Sequence, residues 1–235
     1  MEKVIYALWR DPRIAQEDWC SQLRGAVADK LVSLGARGVQ VNVCDAPAAP
    51  GEQYRQGRQP RIEGVILLWL DSANDQPRKP FDAAIEVVCW RMAAYLVSES
   101  HVLINDRHPP QVGKRTKCLA QVALFACRKD VPRDNWIDIW RNSHSQVAID
   151  TQDTFHYTQN LVVRALTFGA PPYEAIVEEG FPEEALTSVH AFYDAVGDDA
   201  KLAENQRLMM ESCTRFIDFN TIDVVPTSQY LIKPI

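Results

Sequence analysis

Basic runs, long apolar stretches and paired cysteines are all missing from this 235-residue chain. Lys and Arg number 25 against 31 Asp and Glu, a net charge of −6, and no segment is dense in cations. A nucleic-acid partner, which needs a concentrated positive face, is therefore not expected. The longest apolar runs, 65–70 and 93–97, fall far short of the ~20 residues that span a bilayer, so no membrane partner is expected either. Met-Glu-Lys-Val-Ile-Tyr passes directly into a strand pattern with no basic-then-apolar leader, which argues against a signal peptide. The six cysteines (20, 44, 89, 118, 127, 213) are scattered and form no C-x-x-C, so the expectation is reduced thiols in a cytoplasmic protein. Five histidines show no H-x-H, H-E-x-x-H or carboxylate-triad spacing. P-loop, dinucleotide-binding and nucleophile-elbow motifs are also lacking, so neither a metal nor a cofactor is expected.

What is present is a pattern that occurs twice. Segments 3–10, 38–44, 61–71 and 101–105 read as strands, rich in β-branched and aromatic residues. Segments 16–34 and 81–98 read as helices, and 107–117 as a polar linker bearing two prolines. The order then restarts. Strand 119–128 is followed by helix 132–149, strands 155–166 and 173–181, a helical region from 182 to 216 interrupted near Gly197, and a last strand ending at 229–232. Each half is β-α-β-β-α-β. Trp19 and Trp136 are offset by 117 residues, while the pairs Arg10/Arg128 and Asn42/Asn160 are offset by 118. The expected class is α+β, with two tandem ferredoxin-like repeats, 1–110 and 117–235. An open four-stranded sheet leaves one apolar face uncovered, so the repeats should pair as an intramolecular pseudo-dimeric α/β barrel. The expected assembly is a monomer with pseudo-twofold symmetry, or a homodimer.

Segment 135–165 concentrates the chemistry. Trp136, Trp140, His144 and Val147 share one helical stripe, which turns the His144 imidazole toward the sheet. An imidazole in a partly apolar pocket can exchange a proton near neutral pH. On the following strand, 156, 158 and 160 face one way and 157, 159 and 161 the other. His156 and Asn160, on the face assigned to the helix, would line the same cavity as His144. Tyr157 and Gln159 would then turn toward the pseudo-dimer interface. Arg164 continues the even face and could hold an anionic group or pair with Glu174, Glu178 or Glu179. Glu178-Glu179 interrupts an otherwise apolar strand, and an inward carboxylate such as Glu178 could orient a histidine or act as a base of raised pKa.

The run W-R-N-S-H-S-Q-V-A followed by F-H-Y-T-Q-N-L-V-V resembles an EthD domain, of the ferredoxin-like dimeric α/β-barrel superfamily. Trp140, Arg141, His144, Val147 and Ala148 match its helix, and Tyr157, Gln159 and Asn160 match its strand. Ser145-Gln146 stands where relatives often carry a small residue and proline. In the first half Val27 or a neighbour stands in place of the histidine, so the resemblance extends a catalytic role to the second half alone. The family and superfamily include dehydratases, decarboxylases, cyclases, isomerases and cofactor-independent monooxygenases. The resemblance therefore implies a small hydrophobic, aromatic or polyketide-like substrate. The leading expectation is a cofactor-independent lyase with His144 as general acid/base and His156 as second catalytic group. Trp140, Tyr157, Asn160, Arg164 and Glu178 would bind the substrate. The alternatives are a cofactorless monooxygenase on a phenol and a non-catalytic binding protein.

Overall fold

Strands β1 (Glu2–Arg10), β2 (Gly38–Val43), β3 (Gly64–Leu70) and β5 (Leu119–Phe125) are buried along both faces. A sheet can bury both faces only if something covers each. In the computed structural model, which describes residues 1–235, helices cover one face and the opposite side of a closed barrel covers the other. The remaining strands are β4 (Cys89–Leu103), β6 (His156–Ala165), β7 (Ala175–Phe181) and β8 (Asp223–Lys233). Around the barrel the order is β1-β3-β2-β8-β5-β7-β6-β4, antiparallel throughout. Each half contributes four strands in the ferredoxin-like order, β4-β1-β3-β2 and β8-β5-β7-β6. The α+β barrel expected from the repeat pattern is the fold observed.

The two longest strands form the seams. β4 pairs with β1 through residues 89–97 and with β6 through 95–103, and β8 divides its pairing between β5 and β2 in the same way. Irregularities in register at Leu96/Val97 and His101/Leu103 let β4 bend from one half to the other.

Helices pack outside the barrel. In the first half, α1 (Gln16–Gln22) passes through a π-helical turn (Leu23–Val27) into α2 (Ala28–Ser33), and α3 (Asp75–Glu86) lies beside them. In the second half, α4 (Arg133–Asp138) passes through a π turn (Ile139–His144) into α5 (Ser145–Thr151), followed by the short α6 (Val189–Phe192) and by α7 (Asp199–Thr214). Under the first-half helices, Trp19, Leu23, Val27, Leu31, Phe81 and Ile85 pack against Val4, Tyr6 and Leu8 in a solid core. The Trp19 indole donates to the Val88 carbonyl at 2.7 Å.

One element differs from the sequence reading. Residues 89–98, expected as the end of a helix, are most of β4, which runs on into the strand expected at 101–105, and the helix begins at Asp75, in a segment expected to be a loop. Met92, Ala94 and Leu96 face the helices while Ala93, Tyr95 and Val97 face the barrel interior. A run apolar on both faces has no period of two, and so imitates a buried helix.

The barrel interior holds Ile5, Ala7, Trp9, Leu67, Val122 and Ile176 and, toward one end, a polar network. Lys3 Nζ lies 2.7 Å from Glu178 and 2.5 Å from Glu99. Gln40 and Asn160 each donate to Glu178 at 3.0 Å, and Asn42 joins Gln40 to Thr227. Lys3 is 4% exposed, so its charge is tolerated only because both carboxylates compensate it. Lys3→Met is expected to leave two enclosed carboxylates without a cation and to lower stability in urea unfolding by about 3–5 kcal/mol. A loss within experimental scatter would mean that the charges are not coupled as the distances indicate.

Candidate functional site

The second half differs from the first beneath its helices. Where the first half is filled, a cavity of about 250 Å³ separates the sheet face from the π turn 139–144, the end of α6 and α7. Its floor is Gln121, Ala123 and Phe125 of β5, Tyr157 of β6, and Val177 and Glu179 of β7. Its roof carries Trp140 and His144 from the π turn and Met209 and Cys213 from α7. A wider cleft of about 630 Å³ lies near Arg10, Arg55 and Arg61, but these charges are already paired with Glu63 and Glu52.

The π turn is stabilised locally. Ser145 Oγ donates to the Trp140 and Arg141 carbonyls at 3.1 and 2.9 Å, and Gln159 Nε2 reaches the Trp140 carbonyl at 3.3 Å. These contacts occupy carbonyls that the widened turn loosens from the ordinary helical ladder. Trp140 packs against Trp136 and edge-on to Phe125, and both tryptophans are fully buried.

His144 closes that turn, as Val27 closes the turn of the first half. The imidazole is 8% exposed, sits 4.7 Å from the Phe216 ring, and shares a 2.9 Å hydrogen bond between Nδ1 and Ser212 Oγ. Nε2 has no protein partner. Burial, helped by the Arg215 charge, lowers its pKa to about 4, so it is neutral at pH 7. Glu179 behaves in the opposite way. Its one hydrogen bond comes from Gln121 Nε2 at 3.1 Å, no cation pairs with it, and burial pushes its carboxyl up to about 7. On two of the lining residues a polar atom, Trp140 Nε1 and Gln152 Oε1, is fully enclosed and has no protein partner.

The strand face assigned to the helices is the reverse of the one expected. Tyr157 and Gln159 point to the helices: Tyr157 lines the cavity and Gln159 bonds Ser145. His156, Thr158 and Asn160 point into the barrel, where Thr158 Oγ1 lies between His156 Nε2 (3.2 Å) and His101 Nδ1 (3.1 Å). His156 and Asn160 are therefore separated from His144 by the sheet itself. Glu178 shares their side. Burial would raise its carboxyl, but Lys3 and His156, with hydrogen bonds from Lys3 and Asn160, outweigh that and hold it below the ordinary carboxylate range. It is a member of the barrel network and not a base of raised pKa. Arg164 is exposed and makes no ion pair with any of the three glutamates. Of the residues picked from sequence, the cavity thus gathers Trp140, His144 and Tyr157. Of the pair Glu178-Glu179, the inward base expected at Glu178 is instead Glu179 on the cavity side, and Gln121 and Gln152 were not among the expected residues. The signal available was the apolar bias of Tyr157 and Leu161 over His156, Thr158 and Asn160, which assigns the odd face of β6 to a helix layer.

Because His144 has a folded pKa of about 4 against an ordinary 6.5, the unfolded chain binds the proton first. The resulting stability is complete above pH 6.5 and is lost as pH falls from 6.5 toward 4, up to about 3 kcal/mol. The expected NMR titration midpoint for the His144 ring is near 4. The stability advantage of wild type over His144→Gln should shrink across the same window. A midpoint above 6 would contradict the enclosed site.

No family model matches the chain, and no curated protein matches it in sequence. Among solved structures, an anthrone oxidase-like protein aligns with a TM-score of 0.55 at 10% identity, covering 99% of this chain and 93% of that one. A protein provisionally classed as a monooxygenase from Lactobacillus acidophilus aligns with a TM-score of 0.46 at 11% identity, covering 100% and 97%. At such identities the likeness is one of fold, that of the dimeric α+β barrels.

Proposed function

We propose that the chain is a cofactor-independent enzyme that moves a proton on a small hydrophobic, aromatic substrate, with Glu179 as the group that takes it. The observation that carries this is a carboxyl without a counter-ion in an aromatic cavity, poised at about 7. His144 changes role on this reading. At a pKa of about 4 it is a poor acid/base partner at neutral pH but a good neutral donor. Ser212 Oγ has no other partner and can donate to Nδ1, which leaves the ring proton on Nε2. That N–H can hold an oxygen on which negative charge develops.

Two reactions can start from such an anion. In oxygenation, an activated ring CH₂ loses a proton to Glu179, the carbanion adds O₂, and the peroxide collapses to a ketone and water. In the lyase reading, a leaving group departs and must be protonated. Oxygenation is favoured because Glu179 is the one group of the lining poised near 7: Cys213 lies at about 12, His144 at about 4 and Tyr157 well above its ordinary value. The name of the anthrone oxidase-like neighbour agrees with this choice. EthD-domain membership in tandem form, with 1–110 as the repeat without a site, belongs to the same proposal.

Oxygen uptake by the purified chain, screened over ring ketones and phenols with an acidic position, tests it. Glu179→Gln is expected to lower turnover by about 10²–10⁴-fold. The wild-type rate should rise with pH through a midpoint near 7, as a base requires. His156→Ala, on the other side of the sheet, should stay near wild type. Full activity of Glu179→Gln on an oxidised substrate would remove the proposal.

A further inference from the structure

The second-half cavity is not enclosed by the second half alone. The 3-10 segment Ala46–Tyr54, between β2 and β3, crosses from the first half, and it and the residues just after it bring Gln53, Tyr54 and Gln56 to the cavity wall. It is fastened at several points. Tyr54 Oη donates to the Ala185 carbonyl at 2.8 Å, and its ring stacks on Phe192 at 4.6 Å. Gln53 Nε2 donates to the Leu186 carbonyl at 2.9 Å. The Gln56 backbone forms a bridge with Val224 at the start of β8, with bonds of 3.3 and 3.0 Å. Gly57 follows at φ +133°, where a Cβ would collide with the Asp223 carboxylate, and Arg58 N donates to that carboxylate at 3.1 Å. The backbone is fixed, yet the Gln56 side chain is exposed and makes no hydrogen bond.

The counterpart in the other half does not reciprocate. Residues 44–63 join β2 to β3, whereas 166–174, less than half as long, join β6 to β7. That shorter connection ends against Arg91 and Tyr95 at the barrel end, and the first-half core beneath α1 and α2 needs no cover, being filled. Part of the extra length, Gln53, Tyr54 and Gln56, reaches the cavity of the second half, and Ala48, Glu52 and Arg55 line the wider cleft.

We infer that segment 46–58 is the specificity-determining wall of this cavity. Tyr54 bounds its apolar side, and the free Gln56 amide reads a hydroxyl or carbonyl on the substrate end nearest the mouth. The half without a site thus selects the substrate for the half that has one. The inference rests on the reading of the cavity as an aromatic-substrate site, but it concerns binding and is independent of the reaction.

Calorimetric binding of 2-naphthol against 2,6- and 2,7-dihydroxynaphthalene to the full chain separates the two. Wild type is expected to bind at least one diol roughly tenfold tighter than 2-naphthol, the worth of one good hydrogen bond. Gln56→Leu should abolish that preference and leave Tm unchanged, because the side chain bonds nothing in the free protein. Gly57→Ala, which must displace the strap from Asp223, should abolish the preference as well. A preference that survives Gln56→Leu, equal losses for all three ligands, or no preference in wild type would each overturn the inference. Absence of any binding, together with full turnover by Glu179→Gln, would instead remove the reading beneath it.

Discussion

Closure of the barrel is the constraint from which the rest follows. Eight strands joined edge to edge leave no free edge, so a strand residue faces either the interior or the outer side that carries the helices. Along β1, β2, β3, β5 and β7 both sides are enclosed, while parts of β4 and β6, with Ser98, Val163 and Arg164, reach solvent. A polar side chain on either side must find partners, and the two sides cannot share them. This divides the polar residues of the second half into two sets that never meet. Glu178 accepts from Asn160 Nδ2 and from Lys3 of the first half inside the barrel. Glu179, one residue from Glu178, opens on the other side, where only Gln121 reaches it. Adjacent carboxylates consequently carry opposite shifts: one is held charged by a lysine, the other is left poised by burial.

The same constraint explains what could and could not be read from the sequence. The double β-α-β-β-α-β order, the two buried tryptophans and the inward His144 follow from periodicity, because helices expose one stripe and these residues lie on it. The face of each strand is harder. In an ordinary one-sided sheet, alternation of apolar and polar residues identifies the buried face. Here Ile176 faces the interior and Val177 the helices, so alternation vanishes, and Glu178 could be exchanged for Glu179 without any change in pattern. The β4 misreading has the same origin. Where both faces are buried, the two-residue period is erased.

The cavity exists because the second half is not packed as the first is. Leu23 and Val27 fill space in the first half that Trp140 and His144 leave partly open in the second, although both helices widen into a π turn at the same place. The turn is therefore a property of the fold and not of the chemistry. What the second half adds is polar: an imidazole, a carboxyl, an indole N–H and an amide oxygen, the last two with no protein partner.

The seams at β4 and β8 have a further consequence. When a symmetric barrel is built from two copies of a chain, every substitution appears twice, and a change that improves one site is also imposed on its twin. Here both halves lie on one backbone and are stitched together through two strands that each pair with both halves. Positions 27 and 144 can differ, and so can the lengths of 44–63 and 166–174. Asymmetry is open to this barrel at no cost in assembly, since joining the halves requires no encounter between molecules and does not weaken on dilution.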